Sequence, residues 1–356
     1  MGIFDSMSEY GHEQLVFCHD KSSKLKAIIA VHDTTLGPAL GGCRMWPYEK
    51  EGDAIHDAIR LSYGMSLKSA ACGANYGGGK AVIWGDPHSD KSEELFRAFG
   101  LFVETLKGRF ITGTDVGTTA YDFVYSRAET RHLVALPEEF GGSGDSSIIT
   151  AYGVFKGMKA CSHVIWGTDS LRGRIIAVQG LGKVGRHLVR HLMDEGAEVV
   201  ATDTSEYALN WARESSVTLC EPGEIFDVPC DIFSPNALGA VLNPSTIPRL
   251  KCKAVAGAAN NQLADESDGQ LLHERGILYA PDFVVNAGGL IQVADEREGF
   301  NRDRAFRKAA QIYHRLLEIF DISRSEGIPT AAAARLMAER RIENLGKLNR
   351  MYLPHR

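Results

Sequence analysis

Two lysines and one aspartate in the first third of the chain are the side chains whose types and settings suit chemistry best. Lys68 follows Ala54, Ala58, Leu61 and Met65 at alternating four- and three-residue steps, so it lies on the inward stripe of a helix expected over 52–71. Lys80 follows Gly77-Gly78-Gly79, read as a glycine-rich loop, and opens a strand expected over 80–84. Asp115 stands between Gly113 and Gly117 at the end of a strand expected over 110–112, where ligand clefts of α/β sheets open. An ammonium group anchors an acid substrate. A lysine that desolvation and neighbouring cations make easier to deprotonate serves as a base near neutral pH, and a carboxylate beside it passes protons or holds an amine. Each residue also has a plainer reading: a Lys68 stem packed on the core with its head in water, and an Asx-turn at Asp115. A P-loop is disfavoured, because the glycines precede the strand and Ala81 stands where Ser or Thr is needed.

A second constellation is Gly180-Leu181-Gly182-Lys183-Val184-Gly185, a match to G-x-G-x-x-G. Alone it says little, but it follows an apolar strand at 175–179 and opens a helix reaching about Glu195. A further strand, at 198–202, then ends at Asp203. Gly180 permits the tight turn, Gly182 lets backbone approach a pyrophosphate, and Gly185 lets helix and strand close up, while the helix N-terminus offers free N–H groups to phosphate. Asp203 accepts hydrogen bonds from an adenosine ribose and repels a 2′-phosphate, so NAD is expected over NADP. The plainer readings are a tight βα turn without ligand and, for Asp203, a helix cap.

The elements that must position these groups are those of an α/β protein in two domains, as 356 residues favour. In the first half strands are expected over 25–31, 80–84 and 110–112, and helices over 52–71 and 91–107. The Gly/Ser-rich stretch 140–147 reads as a boundary. After it come a helix over 150–164 and strands over 175–179, 198–202, 231–233, 254–256 and 277–279, the spacing of a Rossmann-type, doubly wound, mostly parallel sheet. Helical stretches from Arg302 onward, broken at Gly327-Ile328-Pro329, are expected to return to the first domain. The domains are thus expected as 1–138, for substrate and oligomerisation, joined by C-terminal helices from about 330–356, and 145–325 for NAD, with the active site in the cleft between. A net charge of -6 supplies no basic footprint for nucleic acid or an anionic membrane. The seven cysteines are scattered without a C-x-x-C pair, so no metal centre is expected. No apolar run approaches the ~20 residues of a membrane span, and a cytoplasmic protein is expected.

The sequence resembles the glutamate/leucine/phenylalanine/valine dehydrogenase superfamily, most closely its phenylalanine and leucine dehydrogenases. The resemblance rests on Gly37-Pro38-Ala39-Leu40-Gly41-Gly42-Cys43-Arg44, Met65-Ser66-Leu67-Lys68, Gly77-Gly78-Gly79-Lys80, Thr114-Asp115-Val116-Gly117-Thr118, Thr150-Ala151-Tyr152-Gly153-Val154, the Gly180 loop, Ala259-Asn260-Asn261-Gln262 and Asn286-Ala287-Gly288-Gly289. It implies oxidative deamination of an L-amino acid to a 2-oxo acid and ammonia, with NAD as cofactor, in a homo-oligomer. It further implies that Lys68 holds the substrate carboxylate, Lys80 activates water as base, and Asp115 relays protons and steadies ammonia and the imine. Gly41 and Gly42 would admit the substrate to the backbone. Gly113, Asn286, Leu290 and Val293 are placed by the resemblance at the substrate, and Thr150, Asn236, Ala237 and Asn260 at the cofactor. Read alone, Thr150 caps its helix, Asn260-Asn261 form a turn, and Asn286 to Gly289 form a loop. Glycine at 113, where leucine-type members carry alanine, leaves room for a ring; with Leu290, where they carry valine, it points to phenylalanine first and branched aliphatic amino acids second. Two readings of other classes remain: a 2-hydroxy-acid dehydrogenase, which relies on a histidine and an arginine and would not need ammonium, and a non-enzymatic NAD-binding sensor.

Overall fold

The computed structural model describes residues 2–215 and 217–348. The chain divides into two compact units, one drawn from Met1–Gly144, Val293–Phe300 and Ala338–Arg356, the other from Asp145–Gln292 and Asn301–Met337. Among the described residues each unit is built on one six-stranded sheet.

The first unit opens with α1 (Ile3–Tyr10), β1 (Gln14–Asp20), β2 (Leu25–Asp33), β3 (Ala39–Leu40), β4 (Cys43–Trp46) and α2 (Glu51–Ala71). It continues with β5 (Gly77–Trp84), α3 (Glu93–Thr105), β6 (Phe110–Ile111) and α4 (Asp122–Ser126). The sheet runs β1-β2-β5-β3-β6, with β4 also on β5. β1, β2 and β5 pair antiparallel, whereas β3 and β4 both run parallel to β5 in one unbroken register, Ala39 opposite Gly77 and Cys43 opposite Ala81. Gly41 and Gly42 bridge the two short strands, so Gly42 falls at the position of Lys80. α3, capped by the Ser92 hydroxyl, buries Phe96, Phe99 and Val103 on one side against Phe110 and Phe123.

Gly77-Gly78-Gly79 does not form the expected loop: the glycines are the first residues of β5, and Lys80 is its fourth. The reason is packing. A side chain at Gly78 would collide with Ser62 and Ser66 of α2, one at Gly77 with the Asp33 carbonyl, and one at Gly79 with the Phe110 ring 2.6 Å away. The bare backbone lets helix and strands close on β5 from every side, overriding the poor strand propensity of glycine.

The second unit comprises α5 (Ser147–Trp166), β7 (Ile175–Gln179), α6 (Lys183–Glu195), β8 (Glu198–Thr202), α7 (Glu206–Glu214), β9 (Thr218–Leu219) and β10 (Ile232–Pro235). It goes on with β11 (Ala254–Val255), α8 (Ser267–Glu274), β12 (Leu278–Tyr279), α9 (Asp282–Val285), α10 (Gly288–Glu296), α11 (Arg302–Ala310), α12 (Ile312–Glu326) and α13 (Thr330–Gly346); α10 and α13 each run into segments of the first unit. Its sheet, β12-β11-β10-β7-β8-β9, is parallel throughout, and the strand order reverses between β7 and β10. Such strands are covered on both faces, which is why 175–179 reads as an apolar run.

The segment from Arg302 is divided between the units, its first part falling within the expected 145–325. α11 and α12 stay with the second unit, because Gly153 and Gly157 of α5 leave sockets for Ile312 and Leu316 of α12, and Phe306 of α11 meets Tyr152 edge-on with ring centres 5.0 Å apart. Of the expected C-terminal segment, residues from Ala338 group with the first unit, where the Arg341 guanidinium donates to the Ala74 carbonyl at 2.9 Å and to Asn75 at 2.7 Å; residues 349–356 lie outside the described ones. Val293–Phe300 also groups with the first unit, since one oxygen of the Glu296 carboxylate accepts from Ala135 N, Ser143 N and Ser143 Oγ.

A buried histidine pair helps to seat α2. His12 Nε2 lies 2.8 Å from Ser62 Oγ and 3.1 Å from the Ile59 carbonyl, His32 Nδ1 lies 2.7 Å from Ser66 Oγ, and the two rings meet edge-on at 4.8 Å. Burial, reinforced by His32, pushes the His12 imidazole from its ordinary 6.5 down to about 4, against the hydrogen bond to Ile59. Between those values the unfolded chain takes up a proton that the fold refuses, so stability is full above pH 6.5 and is lost as pH falls towards 4. The loss should reach up to about 3 kcal/mol from this group. In paired denaturant titrations at pH 7, 5.5 and 4.5, His12→Gln should show a shallower acid loss than wild type; parallel losses would refute the assignment.

Candidate active site

In the first unit the sheet register gathers the charged groups. Lys80 sits mid-strand in β5 with its side chain only 7% exposed, and its Nζ lies 2.8 Å from Asp115 Oδ2. Asp115 belongs to the loop after β6, which is zipped along β4: Cys43 N donates to the Gly113 carbonyl at 2.8 Å and Met45 N to the Val116 carbonyl at 2.9 Å. The turn is closed by Thr118, whose hydroxyl accepts from Asp115 N at 3.0 Å and donates to the Cys43 carbonyl at 2.9 Å. The Asp115 carboxylate is therefore free of the Asx-turn and points at cations instead.

A second cation, which sequence reasoning missed, reaches the same oxygen. Arg44 on β4 places Nε 3.1 Å from Asp115 Oδ2 and its terminal nitrogen 2.7 Å from Asp57 Oδ2. Asp57 on α2 is held in turn by the Tyr48 hydroxyl at 2.7 Å and by Arg60 at 3.0 Å. Burial works to raise the Asp115 carboxyl, but Lys80 and then Arg44 hold it below the usual carboxylate range. The sequence signals for Arg44 were its place at the end of the Gly37–Arg44 segment and its alternation with Cys43 and Met45, both buried, on a short strand.

Lys68 lies half-buried in the last turn of α2, on the helix that packs along β5. The glycines have local causes. A side chain at Gly41 would collide with the Gly79 carbonyl, and one at Gly42 with the Thr114 carbonyl, 2.9 Å from Asp115 Cβ. The expectation that Gly113 leaves room for a ring is corrected: a methyl there would sit 2.5 Å from the Val134 carbonyl, so the space is already filled by backbone.

In the second unit the cofactor candidates other than Thr150, which lies on α5, follow the carboxyl ends of the strands on either side of the β7/β10 reversal. Gly180, with φ of 99°, packs 2.9 Å from Ala237 N, measured from where its Cβ would stand, and Asn236 N donates to the Gln179 carbonyl at 2.7 Å. Asn236 Oδ1 accepts from Ala258 N at 2.8 Å, and its amide donates to Ser234, so both ends are fixed. Asp203 Oδ2 accepts from Leu181 N at 2.6 Å and Oδ1 from Ser205 N at 2.8 Å, tying the end of β8 to the glycine loop as well as to the start of α7. Gly185 backs onto the Gly180 carbonyl. Thr150 is the fourth residue of α5, not its cap, and its hydroxyl lies 3.5 Å from where a side chain at Gly289 would begin. Asn286 donates to Asn260 Oδ1 at 2.8 Å, while Asn261, with φ of 51°, makes the turn. Leu290 is buried and Val293 half-buried, one turn apart on α10.

These residues fit a dinucleotide. Gly182 stands at the N-terminus of α6 with no side-chain cap, Lys183 and Val184 follow in the first turn, and a Cβ at Gly182 would meet nothing within 4 Å. Unpaired N–H groups beneath an open surface suit a pyrophosphate. Among the described residues no cluster of three or more His, Cys, Asp or Glu side chains is placed to hold a metal ion, and no helix is long and apolar enough to cross a membrane.

Residues 12–132 match the Glu/Leu/Phe/Val dehydrogenase dimerisation domain, and residues 141–210 and 202–321 match the glutamate/leucine/phenylalanine/valine dehydrogenase family. A leucine dehydrogenase of Thermoactinomyces intermedius is 53% identical over 354 residues, covering 99% of this chain and 97% of that one. A phenylalanine dehydrogenase of Bacillus thermotolerans is 52% identical over 356 residues, covering 98% and 93%. The crystal structure of L-tryptophan dehydrogenase from Nostoc punctiforme superposes with a TM-score of 0.88 at 45% identity, covering 97% of this chain and 99% of that one. On these matches the chain belongs to the glutamate/leucine/phenylalanine/valine dehydrogenase family of amino-acid dehydrogenases.

Proposed function

We propose that the protein catalyses the reversible oxidative deamination of an apolar L-amino acid, phenylalanine first, with Lys80 and Asp115 as the catalytic pair. The observation that supports this most is the contact of 2.8 Å between a buried ammonium and a carboxylate that also accepts from a second cation. NAD, when bound, accepts the hydride from the substrate α-carbon. Lys68 holds the substrate carboxylate from the end of α2, and the backbone at Gly41, Gly42 and Gly113 lies along the substrate. The substrate ammonium, brought beside Lys80, competes for Asp115. Neutral Lys80 Nζ then takes a proton from the water that adds to the substrate imine, and Asp115 carries protons between Nζ and the departing ammonia.

In the second unit, Gly180 to Gly185 cradle the pyrophosphate of NAD, Asp203 takes the ribose hydroxyls, and Asn236, Ala237, Thr150 and Asn260 line the rest of the dinucleotide. Asn286, Leu290 and Val293 face the substrate. The match of residues 12–132 to a dimerisation domain supports a homo-oligomer formed through the first unit. A branched aliphatic amino acid is the second reading, and two observations favour keeping it: the Gly113 space is filled by Val134, and leucine dehydrogenases match this chain as closely as phenylalanine dehydrogenases do.

Lys80→Ala should lower turnover by roughly 100- to 10,000-fold while NAD still binds, as followed by quenching of protein fluorescence. Near-normal turnover would remove Lys80 as base. Lys68→Ala should act mainly by raising the KM for the amino acid, and an unchanged KM would count against the carboxylate anchor. A panel of L-amino acids assayed for NAD reduction should give its largest kcat/KM with phenylalanine; a maximum at leucine, isoleucine or valine would establish the second reading.

A further inference from the structure

Asp115 is gripped from two sides, and only Lys80 has a role in the reading above, on which this inference rests. Arg44 offers two edges of its planar guanidinium to two carboxylates, Nε to Asp115 at 3.1 Å and a terminal nitrogen to Asp57 at 2.7 Å, with the arginine side chain 21% exposed and Asp57 14%. Arginine suits this double engagement because its fork is rigid and permanently charged. Asp57 spends its own oxygens on Arg44, Tyr48 and Arg60, so it holds the arginine. The chain of contacts thus runs from α2 through β4 to the loop after β6.

We propose that Arg44 is a positioning residue for Asp115: it fixes the orientation and charge of the carboxylate facing Lys80, and Asp57, braced by Tyr48 and Arg60, fixes Arg44. The groups facing Asp115 are Lys80 from β5, Arg44 and the Cys43 thiol from β4, Tyr48 beyond β4, and the Val116 amide of its own loop. Lys80 and Arg44 are the cations of that set. Deleting Arg44 leaves the carboxylate with Lys80 as its one cation and with freedom to swing, so it protonates at higher pH and meets Nζ less often in the productive geometry. Removing the charge of Asp57 acts in the opposite electrical sense, because Arg44 is then no longer shared.

Arg44, Tyr48, Asp57, Arg60, Trp46 and Val116 also line a solvent-open cavity of about 570 Å³, so a small cation from solution can reach the vacated position. The test compares Arg44→Ala, Arg44→Lys, Asp57→Asn and Asp115→Asn in the full-length enzyme, with NAD binding as the check on folding. Arg44→Ala should lower kcat roughly 100-fold, the scale of a slight misplacement of a catalytic group, with a far smaller change in KM. Its acid-side fall in kcat/KM should move to higher pH, guanidinium ion at millimolar concentration should restore part of the rate, and Arg44→Lys should be intermediate. Asp57→Asn should not move the acid limb upward. Near-wild-type kcat and pH profile in Arg44→Ala would overturn the proposal, as would a loss that neither guanidinium nor lysine relieves and that leaves the pH profile in place. If Asp115→Asn is itself fully active, the catalytic reading falls and this proposal with it; if Asp115→Asn is inactive while Arg44→Ala is normal, only the positioning role falls.

Discussion

The first unit is organised around the cost of burying an ammonium group. Lys80 sits in the middle of a covered strand, and taking its charge out of water is tolerable only because Asp115 is delivered to within hydrogen-bonding distance. Asp115 comes from a loop, and loops are poor at holding a carboxylate to a fraction of an ångström. The fold answers by zipping that loop to β4, closing it with Thr118, and backing it with Arg44. Three elements, β5, β4 and the loop after β6, are thereby committed to one pair of charges. Such an arrangement is a weak source of stability, since apolar groups in place of a buried ion pair often pack as well.

The glycines serve the same end by different means. Along β5 and its neighbours they are absences that let backbone meet backbone: Gly78 under α2, Gly41 against Gly79, Gly42 against the Asp115 loop. Each of these close approaches shortens the path between the elements that carry Lys80, Arg44 and Asp115. A larger residue at any of them would push apart the strands whose register places Gly42 beside Lys80.

Much of this was legible in the sequence, and the remainder was hidden for identifiable reasons. The strands at 175–179 and 198–202 have the predicted bounds because a parallel strand covered on both faces must be a continuous apolar run between turn signals. The G-x-G-x-x-G loop was readable from its strand, helix and acidic sequel. By contrast, Gly77 to Gly79 looked like a loop because propensity is local, while the collisions that make glycine necessary involve Ser62, Ser66, Asp33 and Phe110, distant in sequence. Arg44 escaped notice for the same reason: its partner Asp115 lies 71 residues away, and an arginine on a short strand ordinarily faces water. The helices after Arg302 showed their own apolar stripe, but not the sockets at Gly153 and Gly157 that receive it.

The three glycines of the nucleotide loop are kept by different forces. Gly180 and Gly185 are demanded by the protein itself, the one by a left-handed backbone angle and the neighbouring Ala237, the other by the carbonyl it rests on. Gly182 is demanded by nothing within the chain, for a methyl there would enter empty space. Packing sets no constraint on a side chain at that position; on the proposed reading, the bound pyrophosphate does. In a lineage that ceased to carry a dinucleotide but kept the scaffold, residue 182 would be the first of the three free to drift, which makes it a marker of use and not of architecture.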